Sequence, residues 1–380
     1  MKRFVRLSTI LLAFLLIIVN FPEKTSASVS VSASSAVLMD QESGRVLYGK
    51  NAHEKKRIAS ITKIMTAILA IESGKLEKMV QVSARATRAE GSSVYLKPNE
   101  KIKLEDLVYG LMLRSGNDTA EAIAEYVGGS LDGFVYLMNS KAKEIGMANT
   151  NFANPHGLDN FENHYSTAYD MALLTRYAMQ NEKYQVISGT KIHKAPNPEE
   201  KWDRVWRNKN RLLSKYKYTT GGKTGYTKRA KRTLVTTATK GDMDLISVTL
   251  NAPDDWNDHI SMFEYGFQKY DLVEVISKGK IDNVKDKAYQ NHVFFNRSFS
   301  YPVTKEEKDL VSIKYKLIKP TEKWLETNPE VVGKAIVFLD TKPIEEVAVF
   351  YKQVQKKEKE FTDYFKSIFL SILSVGKTNG

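Results

Sequence analysis

Three short clusters carry residues whose types and spacing suit acyl transfer. Ser60-Ile61-Thr62-Lys63 sets a hydroxyl and an ammonium three residues apart, which on a helix brings them to one side, one turn apart. Ser115-Gly116-Asn117 falls in a tight turn between two helical patterns, and Lys223-Thr224-Gly225 follows Gly221-Gly222 and leads into a strand. A serine hydroxyl alone is a poor nucleophile and needs a base within hydrogen-bond reach. Lys63 can serve once nearby positive charge and partial burial lower its pKa, and Lys223 would supply that second cation. Lys223 can also attract a substrate carboxylate, Ser115 can pass a proton to a departing amine, Asn117 can hold a peptide amide, and Thr224 can bond a terminal carboxylate. The backbone N–H of Ser60, at a helix N-terminus, and that of Tyr226, on the strand, are the expected oxyanion donors. Gly225, without a side chain, would let a substrate lie against the strand edge.

The elements that must position these groups follow from the hydrophobic pattern. Ser35 to Asp40 and Arg45 to Tyr48 form strands around the Glu42-Ser43-Gly44 turn. From Ser60 to Ile71 the residues Ile64, Ala67, Ile68 and Ile71 share one face, so a buried helix is expected with Ser60 in its first turn and Gly74 as its stop. Further helices are predicted over Leu104–Leu113, from Asp118 to Val127, over Leu131–Ile145, Thr167–Met179 and His259–Phe267. Strands return at Lys231–Thr239 and Leu245–Thr249. Strands at both ends with helices between imply an antiparallel sheet and a separate helical layer. Beyond Val273 short alternating segments (Val293–Phe295, Val311–Tyr315, Ala335–Leu339, Val347–Tyr351) predict a small β domain with no catalytic cluster.

Any one of the three clusters is weak evidence, since Ser-x-x-Lys usually marks an ordinary helix surface. All three in this order are the signature of penicillin-binding serine enzymes. Arg57 to Ala67, Leu111 to Asp118, Asn154-Pro155-His156-Gly157-Leu158 with His164 to Ala168, and Gly221 to Tyr226 each resemble a segment of the low-molecular-mass penicillin-binding proteins of the D-alanyl-D-alanine carboxypeptidase family. Within that family the chain looks most like the sporulation-specific branch of endospore-forming Bacilli. The resemblance implies an α+β penicillin-binding/serine β-lactamase-like catalytic domain, a small all-β domain and a C-terminal amphipathic helix. It also implies that Ser60 attacks the carbonyl between the last two D-alanines of a peptidoglycan stem pentapeptide, forms an acyl-enzyme and passes the peptide to water. β-Lactams are then expected as covalent inhibitors, and lowered cross-linking, in the spore cortex, as the consequence.

The chain departs from the family pattern in two places. Many relatives have Ala-Gly-aromatic after the third cluster, whereas here Ala230 is followed by Lys231-Arg232; and the arginines that often help hold the substrate carboxylate are missing between Arg232 and Arg297, with Lys209 near the place of another. Lysine is a point charge without the planar fork, so these departures bear on carboxylate binding.

Lys2, Arg3 and Arg6 before the apolar run Ile10–Val19, then Thr25-Ser26-Ala27, have the layout of a signal peptide, 1–27, with cleavage after Ala27. The formal charge then falls from +13 to +10. An exported basic chain of this kind meets anionic lipid or wall polymer; no zinc-finger spacing or arginine-rich segment points to nucleic acid. With no cysteine, thiol chemistry is excluded and stability must come from packed cores. The expected organisation is a catalytic domain over 28–272, a β domain over 273–351 and a charged linker with an amphipathic helix over 352–380. In that last stretch Phe361, Tyr364, Phe365, Ile368, Phe369, Ile372 and Leu373 recur at helical spacing beside lysines, which suits an anionic membrane surface. The expected location is the outer face of the cytoplasmic membrane or, in a sporulating cell, the forespore intermembrane space. His156 and His164 are read as structural, no histidine has metal-ligand spacing, and no cofactor is expected. Three other functions compete: a D,D-endopeptidase, which uses the same chemistry; a class A β-lactamase, whose glutamate-centred deacylation motif is not found; and a non-catalytic wall-binding scaffold, which would not need three intact clusters.

Overall fold

The computed structural model describes residues 29–352 except 198–199, 283, 285, 288 and 320–329. The expected signal peptide and the expected amphipathic helix lie outside the described residues. Two compact units divide between Asp271 and Leu272.

The first unit holds, in chain order, β1 (Ser35–Asp40), β2 (Val46–Lys50), α1 (Lys63–Glu72), the hairpin β3 (Met79–Gln81) and β4 (Lys101–Lys103), α2 (Leu104–Tyr109), α3 (Asn117–Gly128), α4 (Leu131–Glu144), α5 (Ala168–Ala178) and α6 (Glu182–Gly189). A second hairpin, β5 (Ile192–Ala195) and β6 (Arg204–Arg207), precedes β7 (Thr219–Thr227), β8 (Lys231–Lys240), β9 (Met243–Leu250) and α7 (Asp255–Lys269). The main sheet runs β2-β1-β9-β8-β7, antiparallel throughout, which leaves β7 at an edge.

Both faces of this sheet are covered. All six residues of β1 are buried, and their alternation splits them between two layers. Val37 and Met39 join the core formed with Ile61, Ile64 and Ile68, while Leu38 faces α7. Gly266 on α7 permits this contact: a Cβ there would lie 2.7 Å from Leu245 and 2.9 Å from Leu38, inside any normal carbon contact.

Helix α1 is buried from Lys63 through Ile71, not on one stripe alone. Each buried isoleucine contributes about 1.5–3 kcal/mol, but a helix buried all round must also satisfy its polar side chains. Lys63 and Thr66 do so on a single loop, Thr66 Oγ1 donating to the Pro155 carbonyl at 2.6 Å and Lys63 to the His156 carbonyl at 2.8 Å.

The second unit pairs β10 (Asp271–Ile276) with β13 (Phe299–Val303) and builds a five-stranded sheet in the order β11 (Gly279–Lys280), β12 (Val293–Phe295), β16 (Lys342–Tyr351), β15 (Val331–Leu339), β14 (Val311–Leu317). Its core gathers Val293, Phe295, Val303, Val337, Val347 and Val349. The chain is thus an α+β domain followed by a smaller β-rich one.

Candidate active site

Ser60 does not sit in the first turn of an α-helix. It lies in a 3₁₀ turn, Ala59–Thr62, that feeds α1. Three residues per turn stack positions i and i+3 directly over one another, closer than an α-helix does, so the Ser60-to-Lys63 spacing is well matched to this turn. Ser60 Oγ lies 3.1 Å from Lys63 Nζ. The turn is braced on several sides. Ala59 has φ +49, a left-handed value unusual for alanine. The Thr62 hydroxyl donates to the Ala59 carbonyl at 2.8 Å, and Thr233 Oγ1 donates to the Ile58 carbonyl at 3.0 Å. His164 Nδ1 accepts from the Ala153 amide at 3.0 Å, which leaves Nε2 protonated to donate to Thr62 Oγ1 at 2.9 Å. Burial depresses the His164 pKa to about 4, so the ring is neutral, as a structural hydrogen-bonding residue should be.

Helix α2 ends by widening into a π-type turn over Gly110–Arg114, where the sequence predicts an unbroken α-helix to Leu113. The wider turn, followed by Ser115 at φ +66, directs the Ser115-Gly116-Asn117 loop toward Lys63 and Lys223. The loop is pinned from the other side. The Asp118 carboxylate accepts from Ser93 Oγ at 2.6 Å and from the amides of Val94 and Leu96, and the Asn117 amide donates to the Ser92 carbonyl at 2.6 Å.

Asn117 is committed differently from expectation. Its Oδ1 accepts from Lys63 Nζ at 2.6 Å and its Nδ2 donates to the Glu90 carbonyl, leaving one amide hydrogen and one oxygen lone pair for a substrate. Lys63 therefore faces two carbonyl-type oxygens, Asn117 Oδ1 and His156 O, and one hydroxyl. A neutral amine has two hydrogens and one lone pair. In that form the two oxygens can take the hydrogens and leave the lone pair for Ser60.

The electrostatics favour that neutral form. Lys63 is fully buried, and burial, then the charges of Lys223 and Lys209, hold its pKa well below the usual lysine value. Lys223, 1% exposed, is brought down to about 7 by burial and by Lys209. Its Nζ donates to Ser115 Oγ at 3.0 Å and to the Thr224 carbonyl at 2.7 Å. Lys209 is itself lowered, by burial and by Arg114, and its Nζ lies 3.4 Å from Ser92 Oγ.

Strand β7 brings the third cluster beside the first. A Cβ on Gly225 would stand 2.9 Å from the Ser60 amide nitrogen and 2.3 Å from Thr233 Oγ1, so only glycine lets the strand edge approach the turn. A cleft of about 580 Å³ opens along that edge, lined by Ser60, Ser115, Thr224, Gly225 and Tyr226 among others.

Sequence reasoning missed two contributors. The 154–157 segment supplies carbonyls to Lys63 and Thr66, and Gly157, at φ +87, passes so close that a Cβ would fall 1.8 Å from the Ala59 carbonyl oxygen. The segment was conspicuous by type, but a backbone carbonyl has no residue signature. The cleft is also lined by Arg211, Asp255 and Trp256, which no sequence motif marks, beside the Lys209 and Arg232 named above as departures from the family pattern.

Comparison with known proteins bears on this geometry. Residues 22–254 match the family described as D-alanyl-D-alanine carboxypeptidase, and residues 270–357 match the C-terminal domain of penicillin-binding protein 5. D-alanyl-D-alanine carboxypeptidase DacF of Bacillus subtilis is 36% identical over 309 residues, 77% of each chain. DacC of Escherichia coli is 40% identical over 272 residues, 67% of this chain and 66% of that one. The crystal structure of penicillin-binding protein 5 from Haemophilus influenzae superposes with a TM-score of 0.69 at 28% identity, covering 85% of this chain and 97% of the other.

Proposed function

Because the chain belongs to the D-alanyl-D-alanine carboxypeptidase family and is a serine-type enzyme of that class, we propose that Ser60 is the residue acylated and that Lys63 is its base. The observation that carries this reading is the arrangement around Lys63 Nζ: 3.1 Å from Ser60 Oγ, with two oxygens to take its hydrogens, and with burial and then a second buried lysine lowering its pKa. Lys63 accepts the Ser60 proton as Oγ attacks the carbonyl of the penultimate D-alanine. The oxyanion forms against the amides of Ser60 and Tyr226, where the bare edge at Gly225 leaves room for it. Collapse of the tetrahedral intermediate needs a proton on the leaving amine, and Ser115, hydrogen-bonded to Lys223, supplies the route. Water then attacks the acyl-enzyme with Lys63 again as base, releasing the shortened stem peptide. Asn117 holds Lys63 and gives its remaining amide hydrogen to the peptide. Lys223 and the Thr224 hydroxyl receive the terminal carboxylate.

The same serine would take β-lactams as slow-turnover acyl donors. The N-terminal pattern of basic and apolar residues supports export, and the aromatic stripe from Phe361 to Leu373 supports attachment to an anionic membrane face through an amphipathic helix. The setting is the outer face of the cytoplasmic membrane or the forespore intermembrane space, where trimming stem pentapeptides lowers cross-linking of the spore cortex.

Labelled penicillin tests the nucleophile: the purified mature protein should bind one equivalent, and Ser60→Ala none. Full labelling of that variant would overturn the assignment. Incubation with a stem pentapeptide and with a cross-linked dimer separates carboxypeptidase from endopeptidase. Free D-alanine from the pentapeptide is expected; cleavage of the dimer alone would favour the endopeptidase.

A further inference from the structure

A guanidinium reaches the cleft from the strand next to the one that carries Thr224. We propose that Arg232, on β8, is the group that grips the terminal carboxylate of the substrate, with Asp255 and Trp256 as the residues that position it. This rests on Ser60 being the acylated residue.

The strand register makes the placement specific. Tyr226 on β7 is directly opposite Arg232 on β8, and Thr224 is opposite Leu234. Opposed residues in an antiparallel pair project to the same face, so Thr224, Tyr226 and Arg232 share one face, and Arg232 is the diagonal neighbour of Thr224. That diagonal spans roughly 7–8 Å between strands, within reach of an extended arginine side chain. A carboxylate bonded to the Thr224 hydroxyl therefore lies where the Arg232 guanidinium can meet it. Lys223 alternates to the opposite face with its Nζ on Ser115, so the two cations would approach the carboxylate from different sides.

The surroundings of Arg232 also point to a ligand. Its Nη2 donates to Asp255 Oδ1 at 2.5 Å, and its guanidinium carbon stands 5.6 Å from the centre of the Trp256 ring. Asp255 is 3% exposed and is the one acidic residue among those lining the cleft. The Arg232 side chain nonetheless stays 42% exposed, and its buried Nε has no hydrogen-bond partner among the described residues. The guanidinium is thus held by Asp255 and Trp256 while the side chain stays exposed at the cleft, the state suited to gripping a carboxylate. Arg211 also lines the cleft but lies outside the β7–β8 register that ties Arg232 to Thr224.

The test compares D-Ala-D-Ala-terminated peptides with a free carboxylate and with a C-terminal amide. Wild type should favour the acid, and Arg232→Ala should lose roughly 10- to 100-fold in kcat/KM on the acid, mostly through KM, while changing little on the amide. Arg232→Lys should recover only part, because the charge returns without the fork. Asp255→Asn should raise KM for the acid with kcat nearly constant. Saturating labelled penicillin, expected to reach one equivalent on each variant, shows that the fold and Ser60 are intact. If Arg232→Ala keeps the full preference for the acid, or if Arg211→Ala abolishes it instead, Arg232 is not the carboxylate residue, while the role of Ser60 stands. Failure of the wild type to label at all would overturn the nucleophile and this inference together.

Discussion

Lys63 Nζ lies 2.6 Å from Asn117 Oδ1, a contact that joins the first cluster to the second and fixes the direction of the lysine lone pair. An amide oxygen accepts a hydrogen from the amine without charging it. A carboxylate in the same place would do more, holding Lys63 as an ammonium ion. Asn117→Asp should therefore cut acylation at neutral pH by roughly 100-fold, the scale of a lost general base, and move the rise of the pH–rate profile to higher pH. An unchanged profile, read from penicillin acylation between pH 6 and 10, would mean that Asn117 does not govern the protonation of Lys63.

Gly225→Ala tests the approach of the strand edge to the serine turn. The new Cβ meets the Ser60 amide at 2.9 Å and Thr233 Oγ1 at 2.3 Å, so β7 or the turn must move by several tenths of an ångström. Acylation should fall roughly 100-fold or more, the loss expected when an oxyanion donor is displaced, with circular dichroism unchanged. Wild-type acylation in this variant would show that the contact is not needed.

Burying two lysines destabilises the fold at neutral pH. The folded-state pKa of Lys223 is about 7, whereas the unfolded chain keeps the proton up to about 10.4. Between those values the unfolded state binds more protons, so stability rises with pH over that window. Lys223→Met should melt several degrees higher than wild type at pH 7, at about 2–4 °C for each kcal/mol, and the gap should narrow toward pH 10. Melting curves at the two pH values check this; a gap of equal size at both would remove burial of the charge as its cause. The variant should be inactive.

Lys231 occupies a left-handed position, φ +59, at the turn into β8, a conformation that favours glycine. A side chain there costs about 1 kcal/mol. Lys231→Gly should raise the melting temperature by about 2–4 °C and leave acylation within twofold. Destabilisation would mean that the lysine side chain makes a compensating contact.

Truncation after Tyr351 addresses the tail, which lies outside the described residues. The full mature chain should sediment with vesicles containing anionic lipid and the truncated chain should not. Equal sedimentation of both would place the membrane contact elsewhere.

Much of the architecture was legible because it depends on patterns that side chains carry. The short apolar runs in Ser35–Asp40 and Leu245–Thr249, the glycine stops and the capping residue Thr167, whose side chain accepts from the Asp170 amide, all act locally. Less legible were departures from ideal helices. The 3₁₀ turn at Ala59–Thr62 and the widened turn at Gly110–Arg114 are imposed by contacts with distant segments, and helix propensity does not register such forces. Helix α6 and the β5–β6 hairpin passed unnoticed because their apolar residues are few and the elements are short.

By itself the sequence determined the chemical types: three clusters in a fixed order, a serine with a lysine one turn away, and a glycine that leaves the edge of the third cluster bare. It also raised the question of how a carboxylate is held without the usual arginines. Only the tertiary structure decided which atoms meet. The lysine lone pair is directed by the His156 carbonyl, 93 residues away, and a backbone carbonyl has the same chemistry in every residue. Arg232 comes beside Thr224 through strand register, and a slip of one residue would turn it to the opposite face. Such relationships are set by packing across the whole domain, so no local stretch of sequence encodes them.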